Sequence, residues 1–192
     1  MSVMMTEMPS AGMPQGRPFT VDDLEAMPDD GKRYELIDGM LVVSPAPGRR
    51  HQRVVLLLGM ALENSCQPGL EVLPAPFAVR PSTTTELQPD VLVARKDDLT
   101  EKLLPAAPVL AVEVLSPSSV INDMNNKKAA YERLGVASYW VVDPQAPSIT
   151  VFELSDGHYE LIAEVKDTDT LSVETPFPVR ITPGDLLGSL AL

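Results

Sequence analysis

Residues 109–115, VLAVEVL, constrain the fold more than any other stretch of this chain. A run of seven residues that is almost wholly apolar is typical of a central strand that is covered on both faces. Glu113 interrupts the run, and a lone carboxylate in an apolar strand is costly unless something compensates its charge. Because side chains alternate along a strand, Glu113 points away from its neighbours Val112 and Val114. The pattern favours a Glu113 side chain that points into a cleft; the alternative is an edge strand that faces water.

The remaining elements follow from hydrophobic patterning and from the turn residues between the apolar runs. Thr20 followed by acidic residues predicts the start of a short helix. Asp38-Gly39 lies between two apolar runs and predicts a tight hairpin. Further predictions, by residue number, are helices over 49–65 and 120–134 and strands over 71–79, 90–94, 138–142, 149–154 and 159–165. This order predicts an α/β fold, of the α+β type, in which helices pack against a mixed sheet.

Length and composition predict the domain organisation and the location. A chain of 192 residues suggests one domain, which we assign to residues 18–192 after a disordered leader at 1–17. A single cysteine cannot form an internal disulfide. The chain has no apolar run long enough to cross a membrane and no secretory signal pattern at its start. We therefore expect a cytoplasmic protein with no membrane partner.

The net charge limits the ways in which this chain can bind nucleic acid. Its 15 basic and 27 acidic residues give a formal charge of -12. Proteins that coat nucleic acid without regard to sequence neutralise many phosphates with Lys and Arg, so that class is disfavoured. An enzyme with a metal site remains compatible with this charge, because the site itself needs carboxylates and the metal offsets their charge.

Asp90 is the second acidic residue of interest, because it follows Pro89 at the start of another apolar strand. Considered alone, an aspartate in this position is typical of a turn or a strand cap. Considered with Glu113, it offers a pair of carboxylates that would repel each other unless a cation lies between them. Mg²⁺ favours such a site, since it binds through one or two carboxylates together with water and substrate phosphate.

A third feature is the spacing of Asp123, Lys127 and Tyr131, which share one face of the predicted helix over 120–134. An ammonium that leans from this face towards Glu113 would orient an attacking water or stabilise negative charge on a phosphate. The alternative is a solvent-exposed Asp–Lys pair that contributes little to stability.

Several segments in order resemble a known family. They are RYELIDGMLVVSPAP with RHQRVVLLL, QPDVLVA, VLAVEVLSPSS, the D-x-x-x-K-x-x-x-Y spacing, and GVASYWVVDP. Together they span roughly residues 18–185 and resemble the Uma-type restriction endonuclease family, within the PD-(D/E)XK nuclease superfamily. The order and spacing of five segments is specific, whereas a lone PD dipeptide carries no information.

The resemblance implies a restriction-endonuclease-like core, a four-stranded mixed sheet flanked by helices, with an added N-terminal hairpin and added C-terminal strands. It implies a Mg²⁺- or Mn²⁺-dependent endonuclease that hydrolyses phosphodiester bonds of DNA, with RNA as an open alternative. Asp90 and Glu113 correspond to the metal ligands, and Glu35 to a further acidic residue of the catalytic site. Considered alone, Glu35 is an exposed alternating position of the hairpin. The superfamily usually carries E-x-K on one strand, but Leu115 occupies that lysine position here, and Lys127 matches members whose lysine lies on the following helix.

The start of the helix over 49–65 carries further candidates. His51 and Gln52 are possible accessory residues of the site, as are Asp123 and Tyr131 of the later helix, although a histidine at a helix terminus is usually structural. The arginines at 49, 50 and 53 are possible phosphate contacts, because guanidinium groups bind phosphate in a bidentate manner. A solvated helix start is the alternative for these arginines.

Two functions remain open from the sequence. The first is the metal-dependent endonuclease, for which a homodimer is expected because a symmetric pair is the common solution for cutting two strands. The second is a catalytically inactive nuclease-fold protein that acts as a nucleic-acid or protein binding module, an alternative that the net charge of -12 favours.

Overall fold

The computed structural model of the protein describes residues 16–116 and 123–190. Most of the predicted leader and the first residues of the predicted helix over 120–134 lie outside this description. The helices are α1 (Val21–Glu25), α2 (Arg49–Ser65) and α3 (Lys128–Leu134), with a π-helical turn at Asp123–Lys127 and 3₁₀ segments at Lys96–Asp98 and Pro183–Leu190. None of the helices described is long and apolar enough to cross a membrane.

Thirteen strands are found in the described residues. In chain order they are β1 (Arg33–Ile37), β2 (Met40–Ser44), β3 (Leu70–Pro74), β4 (Ala78–Ser82), β5 (Thr85–Leu87), β6 (Val91–Arg95), β7 (Leu103–Leu104), β8 (Leu110–Val114), β9 (Ser138–Asp143), β10 (Ser148–Ser155), β11 (His158–Lys166), β12 (Leu171–Val173) and β13 (Val179–Ile181).

Within the described ranges the strands form a main sheet of six strands, a second sheet of five and a two-stranded ribbon. The main sheet has the order β11-β10-β9-β8-β6-β3, the second has the order β2-β1-β5-β4-β7, and β12 pairs with β13. Strands β8 and β9 are parallel, and all other neighbours in the main sheet are antiparallel. The predicted mixed sheet is therefore confirmed. The hairpin β1–β2 belongs to the second sheet, and β10 and β11 extend the main sheet at one edge.

The tight turns form where the sequence places an aspartate before a glycine. Asp38 and Gly39 have φ angles of 50° and 81°, and Asp156 and Gly157 have 49° and 84°. Positive φ at both central residues is the requirement of a type I′ turn, whose twist matches the flanking strands. Gly39 is also required by packing, since a Cβ there would lie 2.5 Å from the Cβ of Pro18.

The core lies on both faces of the main sheet. The inward stripe of α2 covers one face, and α3 covers the other. Strand β8 is consequently buried along its whole length, as its apolar run predicts. Each fully buried leucine or valine contributes about 1.5–3 kcal/mol relative to exposure. Core residues on the α2 face include Val54, Leu58, Leu62, Val91, Val112 and Trp140, and those on the α3 face include Ala111, Ala130, Tyr131, Tyr139 and Val141.

Strands β5 and β7 of the second sheet were not predicted from the sequence. The predicted strand over 71–79 is divided between β3 and β4, and Pro76 lies between the two. Proline has no backbone N–H and cannot continue a ladder of hydrogen bonds, which accounts for the division. Strands of two or three residues, such as β5 and β7, are too short to show a hydrophobic period.

Candidate active site

Three ionisable side chains meet in a buried cluster between the two sheets. The Nζ of Lys127 lies 3.1 and 3.0 Å from the two carboxylate oxygens of Glu113 and 2.9 Å from Oε2 of Glu35. The exposed fraction of each residue is 2% or less. An ammonium in such a place must be paired, because burial of an isolated charge is strongly unfavourable. Two carboxylates compensate one ammonium here, so the cluster retains a formal charge of -1.

The backbone of three elements brings this cluster together. Glu35 lies in β1 of the second sheet, Glu113 in β8 of the main sheet, and Lys127 at the end of the π-helical turn that leads into α3. A π-helical turn inserts an extra residue into a helix and is common at functional sites, because it changes the direction of the side chains that follow. The turn brings the side chain of Lys127 into contact with Glu113, and Tyr131, one helical turn later, contacts the same carboxylate. The backbone of Asp123 begins the turn, but its side chain lies outside the described part of the chain.

Tyr131 holds Glu113 in place. Its hydroxyl donates a hydrogen bond of 2.7 Å to Oε1 of Glu113, and the tyrosine is fully buried. Burial, followed by the negative charges of Glu113 and Glu35, raises the pKa of Tyr131 well above its usual value. The hydroxyl therefore stays protonated and remains a donor to the carboxylate.

We expect Tyr131→Phe to lower the free energy of unfolding by about 1.5–3 kcal/mol, because the substitution removes a hydrogen bond to a buried charged group. Urea unfolding measures this loss. The matched control is Tyr159→Phe, which removes a 2.9 Å hydrogen bond from Tyr159 to the uncharged carbonyl of Val136 and should cost less. Equal stability of the Tyr131 variant and the unaltered protein would contradict this role.

Asp90 lies directly before β6, the neighbour of β8 in the main sheet. The antiparallel register pairs Val91 with Val112, which brings the start of β6 to the part of β8 that carries Glu113. The Oδ2 of Asp90 accepts a 2.9 Å hydrogen bond from the backbone N–H of Val114, the residue after Glu113. Asp90 is thus anchored to the backbone of β8 one residue after Glu113.

Two basic side chains also contact Asp90. Nη1 of Arg33 donates to Oδ1 at 2.9 Å, and Nε2 of His51 lies 3.1 Å from Oδ2. Burial raises the pKa of Asp90, but the hydrogen bond and charge of His51, the charge of Arg33 and the Val114 amide outweigh burial and lower the pKa to about 2. Asp90 is therefore ionised at neutral pH.

Arg33 is the site residue that the sequence analysis missed. Its Nη1 also donates to the carbonyl oxygen of Gln88 at 3.2 Å. Burial lowers the pKa of Arg33. The charge of Asp90 and its hydrogen bond, together with the charges of Glu35 and Glu113, outweigh burial and raise the pKa above its usual value. The available signal was the spacing in β1, since Arg33 precedes Glu35 by two residues and so projects from the same face of the strand.

His51 and Gln52 border a small cavity beside Asp90. The cavity measures about 160 Å³ and is also lined by Arg33 and Pro76. The Nδ1 atom of His51 is buried and has no hydrogen-bond partner among the described residues. The structure therefore places His51 in contact with Asp90 and Gln52 at the rim of the cavity, on the outward side of α2.

The three arginines at the start of α2 do not line this cavity. Arg50 donates a 3.1 Å hydrogen bond to the carbonyl oxygen of Pro144, and Arg49 is exposed. Arg53 packs against the chain at Gly188, where a Cβ would lie 2.9 Å from its Nη2. These three arginines, which were predicted as phosphate contacts, do not reach the carboxylates, because they lie on other sides of α2 than His51. Arg33 occupies the cationic position beside Asp90 instead.

The chemistry of the donor set fits a hard divalent cation. Asp90 and Glu113 offer carboxylate oxygens, which Mg²⁺ and Mn²⁺ prefer, and Mg²⁺ needs only one or two of them. In the described residues no group of three or more His, Cys, Asp and Glu side chains has the geometry of a metal site. Glu35 is less suited to be a ligand, because one of its oxygens accepts the backbone N–H of Gln88 at 2.7 Å and the other contacts Lys127.

Comparisons with known proteins agree with this fold. The architecture is that of the restriction-endonuclease-like proteins, and the chain belongs to the Uma2 family, described as "Putative restriction endonuclease", whose model matches residues 21–187. A crystal structure from Anabaena variabilis, described as a "putative nuclease belonging to DUF820", superposes with a TM-score of 0.73. It is 18% identical in sequence, and the alignment covers 91% of this chain and 100% of that one, a likeness that establishes the fold. No curated protein matches this chain.

Proposed function

We propose that the protein is a divalent-metal-dependent endonuclease that hydrolyses phosphodiester bonds of DNA. The observation that carries the proposal is the Lys127 ammonium, buried between Glu35 and Glu113, with the ionised Asp90 held on the backbone of β8 one residue after Glu113. Paired carboxylates beside a lysine are the groups that a metal-assisted hydrolysis of a phosphodiester requires. Membership of a family described as restriction endonucleases supports the same reaction and points to DNA.

Each residue has a separate role in this proposal. Asp90 and Glu113 would hold Mg²⁺ or Mn²⁺, which supplies polarisation of a phosphate oxygen and a lowered pKa for a bound water. Lys127 provides positive charge where negative charge develops on the phosphate, and it needs no reorganisation because two carboxylates already hold it. Glu35 positions Lys127 through a 2.9 Å ion pair. Tyr131 restricts the Glu113 carboxylate to one orientation.

A specific observation also favours the second candidate, an inactive binding module. Internal basic groups already contact every carboxylate of the site: Lys127 contacts Glu35 and Glu113, and Arg33 contacts Asp90. A site whose carboxylates are all paired in this way needs no metal to be stable. Under this alternative the cluster only connects the two sheets, and the protein binds nucleic acid or another protein without cleaving it.

Metal binding distinguishes the two candidates. We expect isothermal titration calorimetry to detect specific Mg²⁺ or Mn²⁺ binding that is lost in Asp90→Ala, because the proposed site has only two protein carboxylates. The matched control is Asp97→Ala, which removes an exposed carboxylate beyond the opposite end of β6 from Asp90 and should leave binding unchanged. Cleavage of DNA and of RNA is assayed in parallel, since both contain the phosphodiester linkage. Absence of metal binding in the unaltered protein would reject the enzyme and favour the binding module.

The expected homodimer and the expected cytoplasmic location stay predictions. A pair of sites related by a two-fold axis would cut both strands of a duplex, and light scattering of the purified protein measures whether such a pair forms.

A further inference from the structure

We propose that the substrate binds as a single strand, with one unstacked base in the apolar groove between α2 and β3 and the adjoining phosphate at Arg33. The proposal rests on the proposed nuclease function and narrows its substrate class. It concerns a part of the surface outside the acidic cluster, next to the cavity that leads to Asp90.

The groove has a volume of about 500 Å³ and apolar walls. Val55, Leu56 and Met60 of α2 form one wall, and Val72 and Pro74 of β3 form the other. Leu56 and Met60 are 53% and 54% exposed, although the outward face of a surface helix is usually polar. Val55 and Val72 also contact the core, whereas Leu56 and Met60 lie outside the core stripe of α2 and form an apolar surface that the described part of the fold does not cover.

Gly59 keeps the middle of this groove open. It lies inside α2, where glycine lowers helix stability relative to alanine. Packing does not require it, since a Cβ at this position would meet no heavy atom within 4 Å. The effect of the missing side chain is therefore free space along the wall of the groove, between Leu56 and Met60.

The groove is continuous with the candidate active site. It shares Gln52, Val55 and Ala75 with the cavity beside Asp90. That cavity in turn shares Arg33 and Pro76 with a third hollow of about 330 Å³ near α1. A strand whose phosphate reaches Asp90 from the α2 side must therefore lie along the groove.

The charged residues along the cavity and the groove indicate where the phosphate and the base of a nucleotide bind. Arg33, paired with Asp90, is the only Lys or Arg among the described residues that line the cavity, and a divalent cation in the proposed metal site would add positive charge at this end. The described residues that line the groove, in contrast, include no Lys or Arg and do include Glu63. Phosphate is therefore favoured at Arg33 and a base in the groove, where the side-chain amides of Gln52 and Asn64 can bond to its polar edge. A duplex keeps its bases stacked inside and presents phosphates, while an unpaired strand can place a base against an apolar wall.

Binding is tested with a short fluorescein-labelled DNA strand that has a cleavage-resistant phosphorothioate backbone, and with the duplex of the same sequence, in the presence of Mg²⁺. Fluorescence anisotropy should show that the single strand binds at least about tenfold more tightly than the duplex. Gly59→Leu should weaken single-strand binding by about tenfold, because its side chain fills the groove. Gly59→Ala is the matched control, since it leaves most of the groove open. Neither variant should melt at a lower temperature, because both residues favour a helix more than glycine does.

Three results would overturn the proposal. The first is tighter binding of the duplex than of the single strand, and the second is unchanged single-strand binding by Gly59→Leu. The third is a change in the oligomeric state of that variant by light scattering, which would assign the groove to a second copy of the chain.

Failure of the proposed nuclease function would give a different combination of results. Single-strand binding that Gly59→Leu weakens, together with no cleavage of any nucleic acid, would reject the nuclease and support the groove. Cleavage of duplex DNA that Gly59→Leu leaves unchanged would support the nuclease and reject the groove.

Discussion

Lys127→Met is expected to lower the rate of cleavage by about a hundredfold to a thousandfold, the usual effect of removing a preorganised group that stabilises transition-state charge. Methionine keeps most of the length and apolar character of the lysine stem but removes the ammonium. Asp90 and Glu113 remain, so Mg²⁺ binding by calorimetry should persist. Single-turnover cleavage with saturating Mg²⁺ measures the loss separately from metal binding.

The same substitution should destabilise the metal-free protein. Without the ammonium, the buried carboxylates of Glu35 and Glu113 lose the cation that lies within 3.1 Å of both. Removal of one partner from a buried ion pair costs about 3–5 kcal/mol. Mg²⁺ would restore positive charge to the cluster, so it should raise the melting temperature of the variant more than that of the unaltered protein.

Lys128→Met is the matched control for this prediction. Lys128 is the next residue, but its Nζ lies 3.7 Å from the centroid of the Phe152 ring and does not contact the carboxylates. The loss of this cation–π contact costs about 0.5–1 kcal/mol and should leave cleavage unchanged. Similar activities of the Lys127 and Lys128 variants would contradict the assignment of Lys127 to catalysis.

Glu113→Gln is expected to lower cleavage by at least about a hundredfold, since it removes the charge of one of two proposed metal ligands while preserving size. From the sequence alone, relief of repulsion between Asp90 and Glu113 would leave stability unchanged or higher. The contacts predict the opposite sign. Glu113 accepts from Lys127 and Tyr131, and a neutral amide weakens both interactions. We therefore expect a loss of about 1–3 kcal/mol in the free energy of unfolding.

Glu86→Gln separates the catalytic effect from this loss of stability. Glu86 is 5% exposed and is paired with Arg80 in the second sheet, away from Asp90 and Lys127. Both variants remove one buried negative charge from an ion pair, so urea unfolding should show comparable destabilisation. Cleavage should fall only in Glu113→Gln. Activities that fall in parallel with stability in both variants would mark Glu113 as a structural ion-pair partner.

Elements whose signals are local could be predicted from the residue pattern alone. The hydrophobic pattern over 49–65 predicted α2 at its observed bounds, and α3 ends at the predicted residue 134, followed by Gly135 with a φ of 79°. The apolar run around Glu113 predicted a strand buried on both faces, because burial on two sides removes the polar alternation of an exposed strand. A charged residue inside such a run is a local inconsistency, and this is why Glu113 could be singled out without a structure.

Which distant residues share the cleft depends on how the two sheets pack together, and the residue pattern does not reveal this packing. Arg33 and Asp90 are 57 positions apart, and their contact depends on how the second sheet packs against the main one. Arg50 has the same chemistry as Arg33 and lies close to His51 in sequence, yet it points to Pro144. The physical reason is that hydrophobic period and turn residues act over a few neighbours, whereas the order of strands and the packing of sheets depend on contacts between segments far apart in the chain.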